Sequence, residues 1–249
     1  MTESKELIQS ILKANDTKDF YPIFTPSNPW PTEASEQETC RLLVLDSSFN
    51  PPTKAHAQLL QTSLASYPSN FFNGSLLLFS TNNVDKSLTG ASALQRAQMM
   101  EIMARNFADT AVGFTPHGRF MDKAKYIHSW FAERYNGQLE LYFIVGFDTM
   151  TRLLDPKYYN GMAVQEALAP FFESCHLICA DRGPEDVDFW TNTYSVFDRE
   201  LITRIQLDPI TSQFSSTLAR EAIHQDKKDL IRKILDPRIV DFVMRNKIY

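Results

Sequence analysis

The sequence predicts an α/β fold: a doubly wound parallel sheet with helices on both faces and a C-terminal helical segment. Three observations predict it. Short apolar runs alternate with stretches of helical spacing from residue 41 onward. Those runs are rich in Val, Leu and Ile without polar alternation, as expected of strands covered on both faces. The last third then closes with three consecutive helix-like stretches.

In order, RLLVLD (41–46) precedes a helix from about 52, SLLLFS (75–80) precedes one near 92–106, and TAVGF (110–114) precedes one at 122–135. LELYFIVG (139–146) leads into a helical segment to about 154, an irregular aromatic region, HLICA (176–180) and RIQLD (204–208). Helices are expected at 216–225, 227–235 and 237–246, the last opened by Pro237 at a first-turn position. Residues 1–39 read as an N-terminal helix (1–14) and a Pro-, Ser- and Glu-rich arm, and residues 40–249 as one domain. Segments 156–174 and 183–190 read as insertions at strand ends, where substrates are usually chosen.

The chain has 249 residues, 43% of them hydrophobic, which is enough for a sizeable core. A formal charge of −5 and a pI near 5.6 argue against broad attachment to nucleic acid or an anionic membrane. Any anion needs a local site. No apolar run approaches the roughly 20 residues that span a bilayer, and the start of the chain carries acids without a long apolar stretch. An intracellular protein is expected, and the sequons at Asn15 and Asn73 then carry no weight. Cys40, Cys175 and Cys179 are too few for a disulfide scaffold. Cys175-His176-x-x-Cys179 lies in an apolar run with no fourth ligand at sensible spacing and reads as core.

Two phosphate-binding devices are missing. Gly113-x-x-x-x-Gly118 is followed by Arg119 and Phe120 where a P-loop needs Lys and then Ser or Thr. No G-x-G-x-x-G follows the first strand. LDSSFNPPTKAHAQLL (45–60) offers another device. Asn50 is a good N-cap type and Pro51-Pro52 suit a helix start, yet Lys54 and His56 fall in the first turns, where the helix dipole disfavours cations. A bound phosphate would reverse that penalty. Taken alone, the stretch fits equally a Lys54 reaching water and a His56 packed under the loop. QFSSTLAREAI (213–223) repeats the pattern, with Ser215 and Ser216 as N-cap types and Arg220 after them. Two such helix starts, each after a strand of one parallel sheet, point to a shared triphosphate site.

Ser48-Phe49-Asn50-Pro51-Pro52-Thr53-x-x-His56 resembles the first signature of the HIGH-type nucleotidylyltransferases, in the form seen in nicotinamide mononucleotide adenylyltransferases. Phe214-Ser215-Ser216-Thr217-x-x-Arg220 resembles their second signature. Gly146-x-Asp148 resembles the element that holds the ATP adenosine, Lys86 with Arg96 and Met99 resembles the segment contacting the mononucleotide, and DPRIVDFVMRNKIY resembles the C-terminal helix. The likeness covers residues 41–249 and implies a Rossmann-like sheet. Ser47 stands where the family usually has Gly, and Phe120 where it often has a Trp, while Tyr158 and Tyr159 fall where it has another aromatic.

The resemblance implies attack of a mononucleotide phosphate on the α-phosphorus of ATP, giving NAD and pyrophosphate. Implied catalytic residues are His56, as an imidazolium, with Arg220 and Lys54. ATP would be held by Ser47, Ser48, Phe49, His56, Gly146, Asp148, Ser215, Ser216, Thr217 and Arg220. The mononucleotide would be held by Asn50, Lys86, Arg96, Phe120, Tyr158 and Tyr159. Magnesium would arrive with ATP, so no metal ligand is nominated. The alternatives are another phosphorylated acceptor (nicotinate mononucleotide, a pantetheine or a sugar phosphate) or an ATP-binding adaptor that has lost turnover. The implied location is the cytoplasm, with the nucleus as a second compartment, and a homo-oligomer stays open.

Overall fold

The computed structural model describes residues 19–31, 39–80, 90–181, 187–192 and 200–249. The expected helix at 1–14, Lys86 and residues 183–186 of the acidic stretch at 183–190 lie outside them. Among the described residues, seven strands form one sheet in the order β1-β4-β3-β2-β5-β6-β7. They are β1 (Tyr21–Phe24), β2 (Thr39–Asp46), β3 (Gly74–Ser80), β4 (Thr110–Thr115), β5 (Gln138–Gly146), β6 (Cys175–Asp181) and β7 (Ile202–Gln206). The pairings from β2 through β7 are parallel, and β1 runs antiparallel along β4. The strand order reverses at β2 and β5, whose Leu45 and Ile144 are in register. The carboxyl ends of these two strands therefore frame the crevice where open α/β sheets bind ligands.

The continuous apolar runs are explained by two cores, one on each face. Leu43, Leu45, Leu77, Phe79, Val112, Ile144 and Ile178 point to one core. Leu42, Val44, Leu76, Leu78, Leu141, Phe143, Val145 and Leu177 point to the other. Successive side chains alternate faces, so a strand buried on both reads as unbroken hydrophobicity. The first face is covered by α1 (Lys54–Ala65), α2 (Ala93–Ala104), α7 (Ser216–His224), α8 (Lys228–Ile234) and α9 (Pro237–Asn246), through residues such as Leu60, Met99, Ala219, Ile231 and Val243. On the second lie α3 (Phe120–Ala132), α4 (Phe147–Leu153), α5 (Val164–Phe172) and α6 (Val187–Asn192), with Ile127, Met150, Leu168 and Trp190 in the core.

Part of the expected arm is not linker-like. Tyr21–Phe24 is an edge strand, and Phe20 and Trp30 are buried, the Trp30 indole donating to the Asp109 carbonyl at 3.0 Å. Asp19 bonds His117 at 2.7 Å, and that imidazole stacks on Tyr126. Pro22 and a length of four residues suit a sheet edge rather than its middle. Gly113 lies inside β4, so the half P-loop is strand. Cys175 and Cys179 are buried free thiols of β6, as expected.

Candidate active site

The loop after β2 is the centre of the site. Phe49 adopts φ 44°, a left-handed conformation that costs a bulky residue about 1–3 kcal/mol. Its fully buried ring, 5.2 Å from the His56 ring, supplies the compensating packing. Only its backbone can meet a nucleotide, which narrows the expected role of Phe49. The Asn50–Pro51 peptide is cis.

The expected N-cap, Asn50, is replaced by Thr53. The reason is that the Asn50 amide is engaged elsewhere: its Oδ1 accepts from the Ala91 N–H at 3.1 Å and from the Tyr249 hydroxyl at 2.7 Å. Helix α1 then begins at Lys54, and His56 becomes its third residue. The Thr53 N–H donates to His56 Nδ1 at 3.0 Å, so the imidazole plays the part of the acid in a capping box. Because Nδ1 accepts, the neutral ring carries its proton on Nε2, which lies 3.0 Å from the Ser47 hydroxyl. Burial lowers the His56 pKa from 6.5 to about 4. The resemblance implies an imidazolium beside a bound phosphate; in this geometry a proton on Nδ1 would face the Thr53 N–H, and the neutral ring already offers a donor at Nε2.

Lys54 has a partner within the fold. Its ammonium donates to the Arg232 carbonyl at 2.8 Å. Arg232 lies in the last turn of α8, where carbonyls lack helical partners and the dipole favours a cation. The charge that looked misplaced at the start of α1 is matched by the end of α8.

Helix α7 brings the second cationic start onto the first. Ser215 is its N-cap, accepting from the Leu218 N–H at 3.1 Å. Ser216 Oγ donates to the Pro51 carbonyl at 2.8 Å and Arg220 Nη1 to the Asn50 carbonyl at 2.7 Å. Arg220 Nη2 also reaches Thr217 Oγ1 at 3.1 Å. Arg220 is the fifth residue of α7, one residue deeper than a Ser216 cap would place it, and from there its guanidinium spans to the β2 loop. Arg96, 3% exposed, donates to the Ala91 carbonyl at 2.9 Å and to the Ser48 carbonyl at 3.3 Å. Burial lowers its pKa from the ordinary value, Tyr249 opposes that shift, and the Arg220 charge adds to it. Two guanidiniums therefore converge on one loop, a suitable setting for an anion.

Among solved structures, the chain resembles the Plasmodium falciparum nicotinic acid mononucleotide adenylyltransferase complexed with NaAD, with a TM-score of 0.53 and 17% identity over 83% of this chain and 96% of that one. The same enzyme complexed with APC gives a TM-score of 0.54 at 16% identity, covering 84% and 96%. At such identities the likeness shows the fold. No family model matches the chain. A curated Schizosaccharomyces pombe protein, provisionally named a nicotinamide mononucleotide adenylyltransferase, is 33% identical over 221 residues, covering 81% of this chain and 83% of its own. This chain belongs to the nicotinamide mononucleotide adenylyltransferase family.

The remaining candidates of this family member divide by position. Gly146 caps α4 at the end of β5, next to the switch point, and a side chain there would meet nothing within 4 Å. Asp148 is exposed in the first turn of α4. Phe120 opens α3, packs edge-on against Phe143 at 5.4 Å and lies 5.1 Å from the Lys123 ammonium. Tyr158 is 58% exposed in the turn 156–159. Tyr159 is the less available ring, since its hydroxyl donates to the Leu153 carbonyl and its ring packs on the second core. Sequence reasoning missed Tyr249, Gly90 and the Lys123–Asp46 pair. Lys123, 3% exposed, donates to the carboxylate that ends β2 at 2.5 Å. A lysine at an inward position of an amphipathic helix was the available signal for that pair.

Proposed function

We propose that this chain joins ATP and nicotinamide mononucleotide to give NAD and pyrophosphate. The single observation that carries the reading is the clasp of Arg220 and Ser216 on the Asn50 and Pro51 carbonyls, which holds both signatures around His56. Family membership supports it further.

In this reading an oxygen of the acceptor's 5′-phosphate attacks the α-phosphorus of ATP in line. The bond from that phosphorus to the oxygen bridging to the β-phosphate breaks, and pyrophosphate leaves. Both reactants are anionic, so the protein's work is positioning and neutralising charge. His56 donates Nε2–H to an α-phosphate oxygen, which takes the place of the Ser47 hydroxyl. The Ser215 and Thr217 side chains and the backbone N–H groups at the start of α7, that of Ser216 among them, hold the β- and γ-phosphates with Arg220. The backbone of Ser47, Ser48 and Phe49 borders the α-phosphate, and Gly146 and Asp148 hold the adenosine. Arg96 and Lys86 serve the acceptor phosphate, beside Asn50, while Phe120 and Tyr158 offer faces to its ring. Magnesium would enter with ATP as part of the substrate, since it keeps several waters and binds phosphate oxygens. We place the protein in the cytoplasm, with the nucleus as a second compartment.

The test is an assay of the purified chain with magnesium, ATP and a panel of acceptors: nicotinamide mononucleotide, nicotinate mononucleotide, phosphopantetheine and a sugar phosphate. The highest kcat/KM is expected with nicotinamide mononucleotide. Efficient turnover of another acceptor with none of this one would overturn the assignment.

A further inference from the structure

The end of the described chain enters the site. Helix α9 stops where Lys247 takes φ 49°, and the Ile248 N–H returns to the Val243 carbonyl at 3.1 Å. That hydrogen bond pattern ends helices with a left-handed residue and tucks the next apolar side chain inward. Ile248 is 5% exposed, and the turn delivers the Tyr249 phenol to Asn50 Oδ1, 199 residues away in sequence, at 2.7 Å. The surroundings are tight. Gly90, at φ 79°, has no room for a side chain, because a Cβ there would lie 2.9 Å from both Asn50 Oδ1 and Tyr249 Cε1.

We propose that Tyr249 is a positioning residue for the acceptor half of the site, acting through the Asn50 side chain. The inference rests on the adenylyltransferase reading. Asn50 Oδ1 has two donors on it, Tyr249 and the Ala91 N–H, and the Ala91 carbonyl in turn holds Arg96. The phenol thus fixes the junction of Gly90 and Ala91 with Arg96, the guanidinium assigned to the acceptor phosphate. Arg220, assigned to the ATP phosphates, contacts the backbone carbonyl of Asn50 instead. Loss of the hydroxyl should therefore fall on one substrate. Burial raises the phenol pKa above its ordinary value, so the group remains a donor at neutral pH.

The test is Tyr249→Phe, which removes the hydroxyl and keeps the ring. Magnesium ATP, and nicotinamide mononucleotide in the presence of a non-hydrolysable ATP analogue, are titrated calorimetrically into the wild-type and variant chains. The mononucleotide should bind about 3- to 10-fold more weakly, the effect of one hydrogen bond, with ATP affinity held within about 2-fold. In an Asn50→Ala background the same change should add less than about 2-fold, because the coupling partner is gone. Equal weakening of both ligands, no weakening of either, or a full effect without the Asn50 side chain would overturn the proposal. A wild-type chain that binds ATP but no mononucleotide would overturn the acceptor assignment itself, and this inference with it. A wild-type chain that binds both, with an unmoved variant, would overturn only the role of Tyr249.

Discussion

The Ser47 hydroxyl lies 3.0 Å from His56 Nε2, while the Thr53 N–H donates to the other ring nitrogen. The imidazole is held from both sides and its single proton faces the Ser47 hydroxyl. On the proposed mechanism, removing this donor with His56→Ala should lower kcat about 10²- to 10³-fold, the range for one preorganised donor. The helix cap is lost as well, at about 1 kcal/mol, so a thermal melt should accompany the steady-state assay. Ser47→Ala removes only the resting partner and should change kcat by less than about 5-fold.

The pH behaviour follows from the same geometry. His56 in the folded chain titrates near 4, against an ordinary value of 6.5, because burial disfavours the charged ring. Between those values the unfolded chain binds the extra proton, so stability falls as the pH drops from about 6.5 towards 4. The His56 Cε1 proton resonance, assigned with His56→Gln, should show a midpoint near 4. A midpoint at the ordinary value would contradict the neutral capping role.

Lys54 provides a contrasting expectation. Its ammonium is bound to the Arg232 carbonyl, so Lys54→Ala should leave kcat within about 3-fold while loosening the α1–α8 contact by a few tenths of a kcal/mol to about 1 kcal/mol. Arg220→Lys, by comparison, loses the fork that reaches both Asn50 and Thr217, and the KM for ATP should rise about 10-fold or more. A kinetic comparison of the two variants separates a structural cation from a substrate-binding one.

The ion pair at the end of β2 makes a stability prediction. Lys123 is almost fully buried against Asp46, and Lys123→Ala would leave that carboxylate without its partner. Denaturant unfolding should show a loss of about 3–5 kcal/mol, as for other broken buried pairs. Replacing both, Asp46→Asn with Lys123→Met, should cost much less.

The strands were legible because both faces of the sheet are buried, so runs such as 75–80 and 139–146 carry the fold on their surface. Both helix starts that meet at the β2 loop were legible too, through Ser215, Arg220 and His56. The edge strand Tyr21–Phe24 was hidden by its shortness and by the prolines around it. Asn50 looked like an N-cap because local rules favour it there; its real partners, Ala91 and Tyr249, lie 41 and 199 residues away. The charge of Lys54 looked unmatched for the same reason, since the carbonyl it reaches belongs to Arg232, 178 residues on. Local chemistry placed the elements, and the hydrogen bonds that join distant ones needed the fold.

The most direct test follows the α-phosphorus of ATP. With ATP labelled at that position, magnesium and nicotinamide mononucleotide, the wild-type chain should carry the label into NAD and release one pyrophosphate per NAD formed. Arg220→Lys and His56→Ala should suppress both products together. Label appearing as ADP or AMP with no NAD, or unreacted ATP with the wild-type chain, would contradict the account.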